Sequence, residues 1–324
     1  MNTQVDNRWV ADTELDNFEC KKLTAHYHQR EFCATLIRAR NNPTTAPQAV
    51  LYIHGLTDYF FQVHLADAYR RAGYAFYALD LHGYGRSLKP HERANYCEQV
   101  AEYYPEIDAA IGQIKSDGFA HIVINAHSTG GLIASLYAHE GRHRQAIVAL
   151  YLNSPFFEFP FYGWERFILR ALVAVGRVLP NVTYHHGIPS QYAHSLHRDF
   201  KGEWQYNKTL KPAEGFPIRA GWVRAIYRAQ RRVQQGLSIH CPVLVMHSAR
   251  SIRALRWSDE LFSADAVLNI DHMRRFGPLL GQRVTLIAID GAMHDIALSA
   301  PRVRDNAIKQ TLTWLQRVLP ADAP

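Results

Sequence analysis

Short apolar runs alternate with helically periodic stretches through most of this chain. Residues 49–53 (AVLYI), 74–81, 121–125 and 146–152 are almost continuously apolar. Runs of that length and character mark strands buried on both faces of a parallel sheet. Between them, 61–72, 94–115 and 131–139 space their apolar residues as helices do, with Gly73 and Gly118 as stops for the first two. The alternation predicts a parallel sheet covered by helices on both faces and joined by right-handed crossovers. Ahead of it, 19–25 and 31–40 carry β-formers and read as an opening pair of strands. The stretch 41–48 (NNPTTAPQ) reads as a turn-rich connector.

The alternation stops at Pro155. As far as Gly236 the chain is rich in aromatics, prolines and arginines, with two amphipathic helix candidates, 166–179 and 222–233. Arg166, Arg170 and Arg177 fall on one side of the first, and Arg224, Arg228, Arg231 and Arg232 cluster on the second. The sheet pattern then resumes with a strand at 242–247, a helix at 271–280, a strand at 283–289 and a closing helix at 303–318. This predicts a core domain formed by 1–154 and 237–324. The insertion, 155–236, is longer than a passive connection requires.

Composition adds location and charge. The chain is 48% hydrophobic and 20% charged, ordinary values for a globular protein. No apolar run reaches the length of a bilayer span, and the polar, acid-containing opening lacks the pattern of a secretory leader. The four cysteines are scattered and form no CxxC pair, which predicts reduced thiols in a cytoplasmic protein. The net charge of +7 is concentrated: residues 155–240 hold 12 Lys/Arg and 5 Asp/Glu, and the rest holds 24 of each. Such a segment is either a solvated polar face or a cationic surface for anionic substrates or membrane headgroups. No nucleic-acid-binding motif accompanies it.

Residues 122–131 read IVINAHSTGG: an apolar strand, then Ala126-His127-Ser128-Thr129-Gly130, then a helix. This is the G-x-S-x-G nucleophile elbow with alanine in place of its first glycine. The spacing has a physical origin. The serine sits in a strained turn that thrusts its hydroxyl out of the sheet, so the residues two before and two after it pass close together and must be small. The turn also places Ser128 at a helix N-terminus, where dipole and free N–H groups favour negative charge.

The strand 49–53 ends in His54-Gly55-Leu56-Thr57-Asp58. A glycine directly after a buried strand lets the backbone turn tightly, aiming the Leu56 N–H at a developing oxyanion beside the N–H of Thr129. His54 reads as support for that loop. The segment Asp80-Leu-His-Gly-Tyr-Gly-Arg-Ser87 reads as structural, with Asp80 accepting from nearby backbone N–H groups. A serine needs an adjacent base. Among the 18 histidines His294 stands out, because Asp290-Gly-Ala-Met-His294-Asp295 follows the last strand. In a parallel sheet such a loop lies on the ligand-binding edge. The residues alone leave the acid open: no carboxylate directly follows the strands at 146–152 and 242–247, and Asp259, Glu260, Asp265 and Asp271 all lie downstream.

The HG turn, the DLHGYGRS loop, the SxG elbow and the terminal GAMHD resemble α/β-hydrolases of the monoglyceride lipase and lysophospholipase-like group, of the serine aminopeptidase type. The resemblance spans the chain. It implies a mostly parallel, eight-stranded sheet with helices on both faces and a helical cap, here 155–236. Such enzymes carry their acid in H-G-x-x-D-x-x-V after the strand at 242–247. In this chain His247-Ser248 matches the opening, but Ser251 stands where the acid is expected. The segment beginning at Asp265 (DAVLNI) looks like the displaced D-x-[IV]-V, pushed on by an insert containing 257–262. The resemblance therefore favours Asp265 over Asp259 and Asp271, in the chain order Ser…Asp…His. It implies a serine esterase acting on lipid-like esters such as monoacylglycerol or lysophospholipid, with no cofactor. The same three residues would also serve a thioesterase, acyltransferase or peptidase, and a binding-only receptor on this fold can retain the serine and histidine, an alternative that Ala126 and the displaced acid leave open. Phe156, Phe157, Phe159, Phe161, Tyr162 and Trp164 open the cap and read chiefly as packing, with some available for an acyl pocket. No carboxylate or cysteine spacing around His185, His186, His194 and His197 supports a metal site.

Overall fold

The structure is a computed structural model that describes residues 8–43, 48–90, 92–184, 190–253 and 256–319. Its strands are β1 (Val10–Ala11), β2 (Phe18–Tyr27), β3 (Arg30–Ala39), β4 (Gln48–Ile53), β5 (Ala75–Asp80), β6 (His121–His127), β7 (Ile147–Asn153), β8 (Thr183–Tyr184), β9 (Ile218–Arg219), β10 (Val243–Ser248) and β11 (Val284–Ile289). Its helices are α1 (Val63–Arg71), α2 (Tyr104–Ser116), α3 (Thr129–Glu140), α4 (Glu165–Val178), α5 (Ser190–Leu196), α6 (Ala220–Gln234), α7 (Ile270–Phe276) and α8 (Pro301–Val318). The main sheet runs β1-β2-β3-β5-β4-β6-β7-β10-β11. β1, β2, β3 and β5 pair antiparallel in turn, and every pair from β5 to β11 is parallel. This is the mostly parallel sheet expected, with nine strands rather than eight. The added strand, β1, is two residues long and too short to carry a pattern.

Alternation along each central strand sends side chains to two cores. In β4, Ala49, Leu51 and Ile53 join the cluster that α2 and α3 cover with Ile107, Ile111, Ile114 and Leu132. Val50 and Tyr52 face the other way, against Leu65 and Tyr69 of α1 and Trp314 and Leu315 of α8. All six residues of β4 are buried, which is why the run is continuous rather than half polar. Helix α3 is buried almost all round. Its second face packs against α6, so it shows no polar stripe.

One expected helix is shorter. The periodicity over 94–115 predicts a single helix, but the chain makes a loop, a 3-10 turn at Val100–Tyr103 and then α2. Asn95 lies at φ 56°, which breaks a helix, and Pro105 fits only in the first turn of the new one. In the segment 155–236, α4 packs along α6, and a Cβ on Gly176 would meet the Ala220 carbonyl oxygen at 2.1 Å. α4 buries only Leu169 and Gly176. It leaves Phe167, Val178 and Leu179 exposed beside its arginines. Among the described residues no helix is long and apolar enough to cross a membrane.

The loop after β5 is pinned by a buried ion-pair network. Arg86 donates to both carboxylate oxygens of Asp12 at 2.8 and 2.7 Å, to Asp80 Oδ2 at 2.9 Å and to the Phe60 carbonyl at 3.0 Å. Asp80 also accepts from the N–H groups of Phe60 and Arg86 at 3.0 Å each. The Asp80 loop is thus structural, as its glycines and acid predict. Breaking such a pair leaves buried carboxylates without their cation, at a cost of about 3–5 kcal/mol. Arg86→Ala is expected to lose stability of that order in urea unfolding; a loss under about 1 kcal/mol would show that the network does not hold this loop.

Candidate active site

Three loops at the carboxyl ends of the parallel strands meet above β6. The first is the elbow. Ser128 lies at φ 52°, ψ −115°, between the end of β6 and the start of α3. A non-glycine residue there costs roughly 1–3 kcal/mol, so its surroundings must enforce it. They do: the Ser128 N–H donates to the Asn153 carbonyl at 3.0 Å, and its carbonyl accepts from the Phe156 N–H at 3.0 Å. A Cβ on Gly130 would sit 2.3 Å from the His54 carbonyl oxygen and 2.6 Å from that of Ile53. Only glycine lets α3 start this close to β4. Ala126, fully buried in β6, fits at the other small position.

The second loop follows β4. Gly55 passes so near the elbow that a Cβ there would lie 3.1 Å from Ser128 Cβ. That contact brings the Leu56 backbone alongside the elbow. Among the described residues neither the Leu56 N–H nor the Thr129 N–H, the first of α3, has a hydrogen-bond partner. His54 is tied to its own loops: Nε2 accepts from the Leu81 N–H at 3.1 Å and Nδ1 lies 2.8 Å from the Gly55 carbonyl.

The third loop follows β11 and carries His294. Its Nε2 lies 3.0 Å from Ser128 Oγ, and its Nδ1 lies 2.9 Å from Asp265 Oδ2. All three side chains are buried. The other oxygen of Asp265 accepts from the N–H groups of Val267 and Leu268 at 2.9 and 2.8 Å, which fixes the carboxylate's orientation. The chain reaches Asp265 by a detour. Ser251 and Asp265 are bridge partners, joined by Ile252 N–H to the Asp265 carbonyl at 2.9 Å and Asp265 N–H to the Arg250 carbonyl at 3.0 Å. That pairing brings the carboxylate beside the position where Ser251 stands. Asp259 and Asp271 are exposed and lie outside this arrangement.

Beneath the three loops sits a group of polar residues whose joint placement the sequence does not reveal. Asp58, His127 and Asp295 bring one ligand-type atom each to within 4.8 Å of one another, and all are buried. Each lies next to or near a loop residue already named, on a different loop. Asp295 accepts from Asn153 Nδ2 at 2.7 Å, Gln62 Nε2 at 3.3 Å and the Ala297 N–H at 3.1 Å. Burial holds the His127 imidazole below its ordinary pKa, so it sits neutral between the two acids. Burial opposes the charge on Asp58, but the Lys211 ammonium outweighs it and holds the carboxyl below the usual range. Of the histidines in 155–236, His185 and His186 lie outside the described residues. Both ring nitrogens of His197 meet backbone, the Tyr206 carbonyl at 3.1 Å and the Asp199 N–H at 3.1 Å.

A mostly parallel sheet with a serine elbow after its central strand, and a histidine on the loop after its last strand, defines the α/β-hydrolase fold. Residues 44–300 match the family model described as serine aminopeptidase, S33, and the chain belongs to that family. Its structure is similar to that of a monoacylglycerol lipase from Paleococcus ferrophilus, at 20% identity over 85% of this chain and 96% of that one, with a TM-score of 0.63. It is also similar to a soluble variant of monoglyceride lipase from Saccharomyces cerevisiae, in complex with a substrate analogue (15% identity, 98% of this chain and 100% of that, TM-score 0.68). A third likeness is to a thermophilic esterase from Thermogutta terrifontis (15% identity, 92% and 98%, TM-score 0.61). At these identities the likenesses bear on the fold. No curated protein matches the chain in sequence.

Proposed function

We propose that this chain is a serine hydrolase that cleaves carboxylic esters through an acyl-enzyme on Ser128. The observation that carries the reading is the continuous hydrogen-bonded path from Ser128 Oγ through His294 to Asp265, beside two unpartnered backbone N–H groups. As Oγ attacks the ester carbonyl carbon, His294 Nε2 takes its proton. The carbonyl electrons move to oxygen, and that oxyanion accepts from the N–H groups of Leu56 and Thr129. Each such donor lowers the barrier by about 3 kcal/mol. The intermediate collapses, and the leaving alcohol takes the proton from His294. Water then repeats the sequence on the acyl-enzyme and releases the acid. Asp265 holds the Nδ1–H tautomer and stabilises the charged ring.

The substrate class we favour is a lipid-like ester such as monoacylglycerol or lysophospholipid. Tyr192, Phe61, Tyr206 and Met293 form a buried apolar cluster that packs around the His294 loop. Residues 155–236 serve as a cap over the core formed by 1–154 and 237–324. The outer surface of this cap is amphiphilic: Trp164, Phe167, Val178 and Leu179 are 59–76% exposed alongside Arg166, Arg170 and Arg177. That surface suits peripheral contact with an anionic lipid interface from which such a substrate is drawn. The monoacylglycerol lipase and the monoglyceride lipase of similar fold are named for this class of substrate, a name that belongs to those proteins. The four unbridged thiols support a cytoplasmic setting.

A fluorophosphonate probe is expected to label the wild type and not Ser128→Ala; labelling that persists in the variant removes Ser128 from its role. Asp265→Asn is expected to lower kcat by orders of magnitude, about 10⁴-fold in related triads, while Asp259→Asn keeps near-normal activity. The reverse pattern would reassign the acid. Activity on p-nitrophenyl esters is expected to rise from acetyl to medium or long acyl chains, and a preference for acetyl would contradict a lipid-like substrate. Co-sedimentation with phosphatidylserine vesicles is expected to fall several-fold in Arg166→Glu/Arg170→Glu. Equal binding by the variant, or none by the wild type, would remove the cap from membrane contact.

A further inference from the structure

We infer that Lys211 is a positioning residue, which ties the cap segment to the loop that carries Leu56 and so sets that loop's donor geometry. This rests on the serine hydrolase reading for its consequence in catalysis, but not for the tie itself. Lys211 comes from 155–236, far along the chain from the loop it meets. Its Nζ lies 2.5 Å from Asp58 Oδ1, with the lysine side chain 12% and the aspartate 2% exposed. The ammonium is also held over the rings of Phe61 and Tyr206, at 5.5 and 5.6 Å.

The other oxygen of Asp58 accepts from the Gly55 N–H at 3.4 Å. The carboxylate therefore braces the turn 55–58 across its mouth, and the Leu56 peptide lies inside that brace. Thr57 needs such bracing. It sits at φ 50°, and its Oγ1 accepts from Asn95 Nδ2 at 2.7 Å. The cap is anchored at the same place by a second contact, the Asn207 N–H donating to the Tyr59 hydroxyl at 2.8 Å.

Charge makes the lysine necessary. Asp58 and Asp295 sit close together, both buried, beside a His127 imidazole whose pKa burial holds low. Among the described residues the ammonium of Lys211 is the cation in contact with it. Two buried carboxylates this close repel, and removing the cation takes away the counter-charge that Asp58 has. The Asp58 brace on Gly55 then weakens, because the carboxylate either takes a proton or moves toward water. With the lysine in place the brace is held only when the cap is seated. Docking of the cap and assembly of the donor loop are thus one event.

The test uses the full chain and two readouts. Lys211→Met is expected to lower kcat on p-nitrophenyl acetate by about tenfold or more, part of the 10²–10³ lost with a whole oxyanion donor. KM should change by less than about threefold, and Lys211→Arg should recover most of the activity. Independently, amide hydrogen exchange of the peptide covering 54–60 should accelerate in Lys211→Met and not in Lys211→Arg. Because the methionine variant also leaves a charge imbalance, Asp58→Asn/Lys211→Met is the second variant. It should regain thermal stability while kcat stays low, since the tie is not remade. Recovery of both would show that Lys211 only balances charge and would overturn the inference. So would unchanged exchange in Lys211→Met, or an unchanged kcat in that variant when the wild type hydrolyses the ester. Faster exchange in the variant of a protein without esterase activity would uphold the tie and instead remove the hydrolase reading.

Discussion

The site depends on one close approach, that of the first turn of α3 to the end of β4. Gly130 has its backbone where a Cβ would overlap the His54 and Ile53 carbonyls. That contact leaves the chain no relaxed route from β6 into α3, and the strain is taken up at Ser128, at φ 52°. Everything else follows in space. The hydroxyl is thrust up from the sheet, the Thr129 N–H points out at the start of a buried helix, and Gly55 is brought against Ser128 Cβ. The strain is a small fraction of what the two cores supply, because the flanking strands and α3 are almost wholly buried.

Below the elbow, the three loops that converge on it are joined to each other by polar side chains. Asp58 belongs to the loop after β4, His127 to the end of β6, and Asp295 to the loop after β11. Asn153, at the end of β7, serves two of them: its carbonyl accepts from the Ser128 N–H, and its side chain donates to Asp295. The elbow and the His294 loop therefore share Asn153 as a hydrogen-bonding partner. Lys211 extends the network into the inserted segment, so the part of the chain with the surplus positive charge also supplies the counter-charge to Asp58 under the site.

What was legible in the sequence was what is local. Strands buried on both faces must be apolar throughout, so β4, β5, β6, β7 and β10 could be read as runs. The elbow and the His294 loop lie directly at strand ends, where a few adjacent residues define them. Asp265 was legible only through family resemblance. Its place beside Ser251 is made by two backbone hydrogen bonds, and no pattern encodes that pairing. The long helix expected over 94–115 failed at Asn95, whose left-handed backbone is allowed to asparagine but not foretold by it. The Lys211–Asp58 contact joins residues 153 apart, and a lysine in a basic segment reads first as surface charge.

Acylation of Ser128 is the step on which the proposed chemistry turns. Rapid mixing with a p-nitrophenyl ester, followed by acid quench and peptide mass spectrometry, tests it directly. The expected result is a burst of p-nitrophenol of about one equivalent per chain when deacylation is the slower step, or accumulation of the adduct with a slow-deacylating carbamate. In either case a single acyl group should sit on the peptide containing Ser128. Turnover with no adduct under both conditions, or an adduct on another residue, would contradict it.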